Sequence, residues 1–187
     1  MNNFEIILLA FALVFNSWIA YINAGIVLSG EALVRKVNYA GMMFLIQCIM
    51  LGAGIWIGYK TGSLEIRINM VISLSIMFIF GLKVLLTGIR APEEDKAFDY
   101  TDSKVTFFAS LAEGITPLAI GISIGLLSLN PYLHWIITGL LMLSGIVAAL
   151  ILSKRMGRDS FKLRLAPVGG LLLLAAAIKL AINLTGF

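Results

Sequence analysis

The sequence is short of charge, of cysteine and of histidine. Only 13% of its 187 residues are Asp, Glu, Lys or Arg. The single cysteine, Cys48, excludes an intrachain disulfide, and its apolar surroundings read as those of a small buried hydrophobe. The single histidine, His134, has no cysteine near it, which argues against a zinc or copper site. The glycine set "GAGIWIG" (52–58) is not followed by a Walker-type lysine and hydroxyl. It therefore reads as a place where helices approach closely, not as a phosphate loop. The apolar segments hold no carboxylate pair, no nucleophile beside a base and no metal cluster, so no enzyme is expected. No resident cofactor and no nucleic-acid partner are expected either.

What the chain does have is apolar length. Hydrophobic residues make up 60% of it, and the mean hydropathy is +0.99. A soluble domain of this size cannot hide that much apolar surface, so the chain falls in the membrane class, with the lipid bilayer as its first partner. Six segments are apolar over about 20 residues, the length a helix needs to cross the hydrocarbon core. They run over about 4–28, 37–59, 66–89, 105–128, 132–153 and 165–186. Barrel strands would be shorter and alternate in polarity. The expected fold is an all-α membrane protein with six transmembrane helices. The first stretch lacks a basic flank and a clear small-residue cleavage site, and reads as a retained helix.

Basic residues mark the sides. Arg35 and Lys36, then Arg90, Lys96 and Lys104, then Lys154, Arg155, Arg158, Lys162 and Arg164 fall in the first, third and fifth connections. The opposite side holds only Lys60 and Arg67. This asymmetry places the three charged connections in the cytoplasm and both termini outside. The expected location is a bacterial-type cytoplasmic (inner) membrane.

The halves of the chain resemble each other. At an offset of 100 residues, "ALVFNSWIAYINAG" (12–25) lies over "AEGITPLAIGISIG" (112–125). Ala12 meets Ala112, Ile22 meets Ile122, Gly25 meets Gly125, and Asn16 meets Thr116. Near the ends of the halves, "LKVLLTG" (82–88) resembles "IKLAINLTG" (178–186), which sets Lys83 over Lys179. Three spans per half is an odd number, so the second half enters from the other side and the repeat is inverted. Transporters often have this architecture, with the site near the midplane. The expected domains are a first three-helix repeat at 1–93, an acidic cytoplasmic linker at 94–104 and a second repeat at 105–187.

Three ionisable residues fall inside the spans: Lys83, Glu113 and Lys179. Such residues are expensive in lipid and are functional candidates by default. At about 1.5 Å per residue, Glu113 and Lys83 both lie about 10–12 Å from the cytoplasmic side. A charge pair between them, direct or through water, is one reading; snorkelling of Lys83 to the headgroups is the other. Lys179 reads as snorkelling outward. Pro117 cannot donate to the carbonyl of Glu113, four residues earlier. Position 113 thus offers a carboxylate and a freed carbonyl, and Thr116 adds a hydroxyl. Oxygen donors at a broken helix suit a hard cation, while a proline kink that only shapes packing is the competing reading. Asn16 and Ser17 hold the matching place in the first span. Gln47, Asn69, Ser73 and Ser75 are further polar candidates.

This layout resembles the putative manganese efflux pump family, within the wider lysine-exporter-like superfamily. The resemblance is carried by "LLAFALVFNSWIAYINAG" (8–25), "GLKVLLTGIRAPEEDK" (81–96), "ASLAEGITPLAIGISIGL" (109–126) and "GGLLLLAAAIKL" (169–180). It implies a secondary exporter of Mn²⁺, with an aspartate in the first span and another in the fourth on the metal path. By position these fall on Asn16 and Thr116, and neither is acidic. The basic residue of the third span is kept as Lys83. The candidate transport site is therefore Asn16, Ser17, Glu113, Thr116 and Pro117, with Asn16, Glu113 and Thr116 as metal ligands and Lys83–Glu113 as a charge pair. The alternative is a transport-inactive membrane subunit that uses the same scaffold to bind a partner membrane protein, or a second copy of itself.

The orientation can be tested directly. A reporter active only in the cytoplasm is expected to be silent when fused after Phe187 and active when inserted within 91–104. The opposite pattern overturns the assignment.

Overall fold

The computed structural model describes residues 11–15, 17, 21, 33–62, 65–89, 102–127, 131–153 and 162–185. The described residues are all-helical apart from short turns. Residues 11–15, 17 and 21 are helical and are called α1. They are followed by α2 (Leu33–Thr61), α3 (Ile66–Ile89), α4 (Ser103–Leu127), α5 (Pro131–Ser153) and α6 (Lys162–Thr185). Four helices are long and apolar enough to cross a membrane: Val34–Thr61, Ile66–Thr87, Lys104–Leu127 and Pro131–Ala148. Within α6 the apolar stretch is shorter, Pro167–Ile182. Asn16 and the acidic linker 94–101 lie outside the described residues.

Local chemistry sets the ends. Asp102 caps α4: its Oδ1 accepts from the Lys104 amide at 2.9 Å, and its carbonyl accepts from the Thr106 amide. Pro131 opens α5, where its missing N–H costs nothing. The turn between α2 and α3 is held by Asn69, whose Nδ2 donates to the Gly62 carbonyl at 2.9 Å. Asn69 is therefore a loop staple, although it reads as a site candidate in the sequence.

The tightest packing joins α2 to α4. Gly54 and Gly58 of α2 face Gly121 and Gly125 of α4. A methyl on Gly54 would collide with the Leu118 carbonyl, one on Gly58 with that of Ile122, and one on Gly125 with that of Ile55. Contact partners rise together along the two helices, so α2 and α4 run in the same direction, as a second and a fourth crossing must. The α3–α6 pair is antiparallel: Gly81 meets Leu173 and Leu174, while Gly170 meets Leu85. So is the α2–α5 pair, where Gly52 lies under Trp135 and Gly139 faces Cys48. There the Trp135 Nε1 donates to the Cys48 carbonyl at 3.1 Å. Small residues that admit close backbone contact drive helix association where no hydrophobic effect operates.

Pro117 does not break α4. The helix is continuous from Ser103 to Leu127 with Pro117 inside it and buried. The broken helix expected from the sequence is thus corrected to an unbroken one, although Pro117 still lacks the N–H that would bond the Glu113 carbonyl.

Polarity is distributed inside out. Phe108, Ile79, Leu140 and Ile178 stand on the outer surface, while Ser17, Gln47, Ser73, Thr116, Ser123 and Thr138 are buried. An apolar exterior over a partly polar interior is stable in lipid and not in water. The chain is a multi-pass membrane protein.

The α2–α4 contact predicts a sharp contrast. Gly54→Ala and Gly125→Ala should each destabilise the purified protein by about 1–3 kcal/mol, because overpacked helices must separate. Gly41→Ala, where an added methyl meets nothing within 4 Å, should be neutral or mildly stabilising. Thermal unfolding in detergent measures all three.

Candidate functional site

The polar residues do not gather around the freed carbonyl of α4. They meet one layer over, between α1 and α2. The Ser17 hydroxyl donates to Gln47 Oε1 at 3.1 Å, and the Tyr21 hydroxyl donates to the same oxygen at 2.8 Å. Ser17 and Tyr21 are four residues apart, so one face of α1 presents both. All three side chains are sealed, with Gln47 0% exposed. Gln47 Nε2 has no hydrogen-bond partner.

Energetics make this amide unusual. Interhelical hydrogen bonds between polar side chains in membranes contribute about 0.6 kcal/mol each. A buried donor left unpaired costs about 1–3 kcal/mol. The two bonds to Oε1 roughly offset the orphan Nε2 and no more.

Glu113 lies at the same level of the bundle. Its neighbour Gly114 packs against Ile46 and Met50, which bracket Gln47 along α2. Glu113 is half-buried. Thr116, one turn further along α4, is buried at 6% exposure. Ser17, Tyr21, Gln47, Glu113 and Thr116 are thus presented by three helices, with Pro117 buried beside Thr116.

Lys83 stands elsewhere. It is exposed on the outer face of α3, with its ammonium 5.6 Å above the centre of the Phe80 ring. It borders a shallow groove on that helix with Phe78, Ile79, Leu82, Leu86 and Thr87. No direct ion pair joins Lys83 and Glu113 among the described residues, because equal depth does not fix the direction in which a helix turns a side chain.

The other sequence candidates separate clearly. Ser73 and Ser123 tie α3 to α4, the Ser73 hydroxyl donating to the Ser123 carbonyl at 3.2 Å. Ser75 is exposed and donates back to the Val71 carbonyl. Both serve helix structure. Tyr21 is the site residue the sequence reading missed. Its place one turn after Ser17, on the same face of an apolar helix, was the available signal.

Chemically, the cluster supplies neutral oxygens, one amide and one nearby carboxylate. Among the described residues no three His, Cys, Asp or Glu side chains come together as a metal-binding group. A cation here would be held by uncharged oxygens, with Glu113 as the negative charge.

No solved structure matches the chain. A Putative manganese efflux pump MntP from Methanothermobacter thermautotrophicus is 30% identical over 112 residues, covering 60% of this chain and 59% of that relative. The protein of the same description from Methanospirillum hungatei is 28% identical over 112 residues, covering 60% of this chain and 58% of its own. The one from Bacteroides thetaiotaomicron is 31% identical over 133 residues, covering 71% and 68%. The chain thus spans about three fifths of the length of the first two relatives. Residues 31–181 match the family described as Putative manganese efflux pump, and the chain belongs to that family.

Proposed function

We propose that the chain is a secondary exporter of a hard cation, Mn²⁺ by family, working by alternating access. The observation that carries this reading is the sealed polar cluster of Ser17, Tyr21 and Gln47 beside Glu113, inside a bundle whose outer surface is apolar. Polar groups are expensive in a membrane interior and are found there where a solute must pass. The two halves, 1–93 and 105–187, are the moving parts, joined by the linker 94–104. Helices related by the repeat pack in pairs, α3 with α6 and α2 with α5, each antiparallel. An inverted repeat would place its axis between such pairs. Both termini lie outside, in a cytoplasmic-type membrane.

The missing aspartates shape the site. Thr116, where an aspartate is expected, is buried and uncharged. Glu113 precedes it on the same helix and takes over the negative charge. Glu113 is half-buried as a residue.

Expression of the chain in a manganese-sensitive cell lacking its own exporter should lower cellular manganese and restore growth. Glu113→Ala should abolish the rescue, measured by metal content and by growth on manganese. No rescue by the unmodified chain, with stable co-purification of another membrane protein, would instead establish the transport-inactive subunit.

A further inference from the structure

Lys83 is an intramembrane charge that the exporter reading does not use. We propose that Lys83 and the groove beside it form a site for an anionic phospholipid, with the lipid phosphate paired to the ammonium and an acyl chain lying along α3. This site is independent of the exporter reading and needs only that the chain spans a membrane.

The groove opens to the outer surface of the bundle and has a volume of about 440 Å³. Phe78, Ile79, Leu82 and Leu86 line it with exposed apolar side chains, and Lys83 is the charged residue among them. Positions 79, 82, 83 and 86 are three and four residues apart, so they share one face of α3. Lys83 lies six residues before Ile89, the end of the helix, which is about 9 Å along the axis. Its ammonium leans over the Phe80 ring, 5.6 Å from the centre, one turn back from that end. The same stem swung the other way carries the charge toward the headgroups. The Thr87 hydroxyl, on that side, donates to the Lys83 carbonyl at 2.9 Å. Lys83 is therefore the donor that an anion in the groove would meet.

The occupant must bring negative charge from the lipid side. The described carboxylates are Glu65, Asp102 and Glu113, and among the described residues none makes an ion pair with Lys83. Glu65 and Asp102 stand at helix ends, and Glu113 is half-buried on α4. An aromatic ring offsets only part of the cost of an ammonium in hydrocarbon. A second copy of the chain is a poor partner, because a two-fold contact centred on the groove would set one Lys83 against the other. A phospholipid supplies a phosphate and an acyl chain in one molecule. The phosphate takes the side of Ile89, and the chain runs back toward Phe78. A zwitterionic headgroup carries its own cation beside the phosphate and gains less from Lys83. The groove thus selects a headgroup of net negative charge.

The test is lipid binding to the full chain in detergent, read by native mass spectrometry. Phosphatidylglycerol is the anionic probe and phosphatidylcholine the zwitterionic one. The unmodified chain should bind phosphatidylglycerol about fivefold more tightly, the contribution of one basic side chain near a charged headgroup. Lys83→Met keeps the unbranched stem and removes the charge, and it should bind the two lipids alike. Lys83→Arg should keep the preference, and so should Lys179→Met, which removes the other intramembrane lysine. Ile79→Trp, which fills the groove and leaves the charge, should weaken phosphatidylglycerol binding, and it carries the test if Lys83→Met does not fold. Equal binding of the two lipids by the unmodified chain overturns the site. So does a preference that survives Lys83→Met, or binding unaltered in Ile79→Trp. A dimer that Lys83→Met abolishes also overturns it, since the groove then holds a second copy. None of these readings involves manganese, so failure here leaves the exporter reading standing, and the reverse holds too.

Discussion

Everything inside this bundle hangs on the contact between α2 and α4, where two glycine pairs let backbone meet backbone. Gly54 and Gly58 interlock with Gly121 and Gly125, and no side chain fits between them. In water such a contact would gain from excluding solvent. In lipid that gain is absent, and association depends on close packing itself. The interlock also sets the rotation of each helix about its axis. With those glycines facing each other, Gly114 must lie against Ile46 and Met50. Gln47 and Glu113 are then brought to one level. Packing and site are the same constraint seen at two heights.

From that contact the polarity of the molecule follows. The face of α2 that holds the glycines also directs Gln47 toward α1, where Ser17 and Tyr21 meet it. The opposite faces carry residues such as Leu45, Ile49 and Trp56 to the outer surface. Buried polar groups in a membrane protein need partners, because lipid offers none. Most of them here have one. Ser110 bonds back to Thr106, and Ser73 bonds across to α4. The Thr138 hydroxyl is one exception and Gln47 another, its oxygen doubly engaged and its nitrogen not engaged at all.

The distribution of charge separates the two intramembrane groups of this region. Glu113 is half-buried, while Lys83 is exposed over Phe80. A lysine has a long apolar stem and can reach the headgroups from a lipid-facing position. A glutamate has not, so it must be accommodated inside. The two side chains answer the same cost of burial in different ways.

Helix type was legible in the sequence, as was the order of α2 to α6, because lipid thickness imposes long apolar helices on any spanning segment. The family was legible too, since apolar spacing carries the resemblance. Glu113, Thr116, Ser17 and Gln47 could be singled out because polar residues are rare in such segments. Their grouping could not. The lipid-facing and inward faces of a membrane helix are both apolar, so the amphipathic signal that orients a soluble helix is missing. Hence the sequence left open that Lys83 turns outward and that Tyr21, which reads as one more apolar aromatic, turns inward. Ser17 and Gln47 are 30 residues apart, and Tyr21 and Gln47 are 26 apart. Only the rotation of α2, set by its glycine contacts with α4, and the packing of α1 against it decide that these three meet.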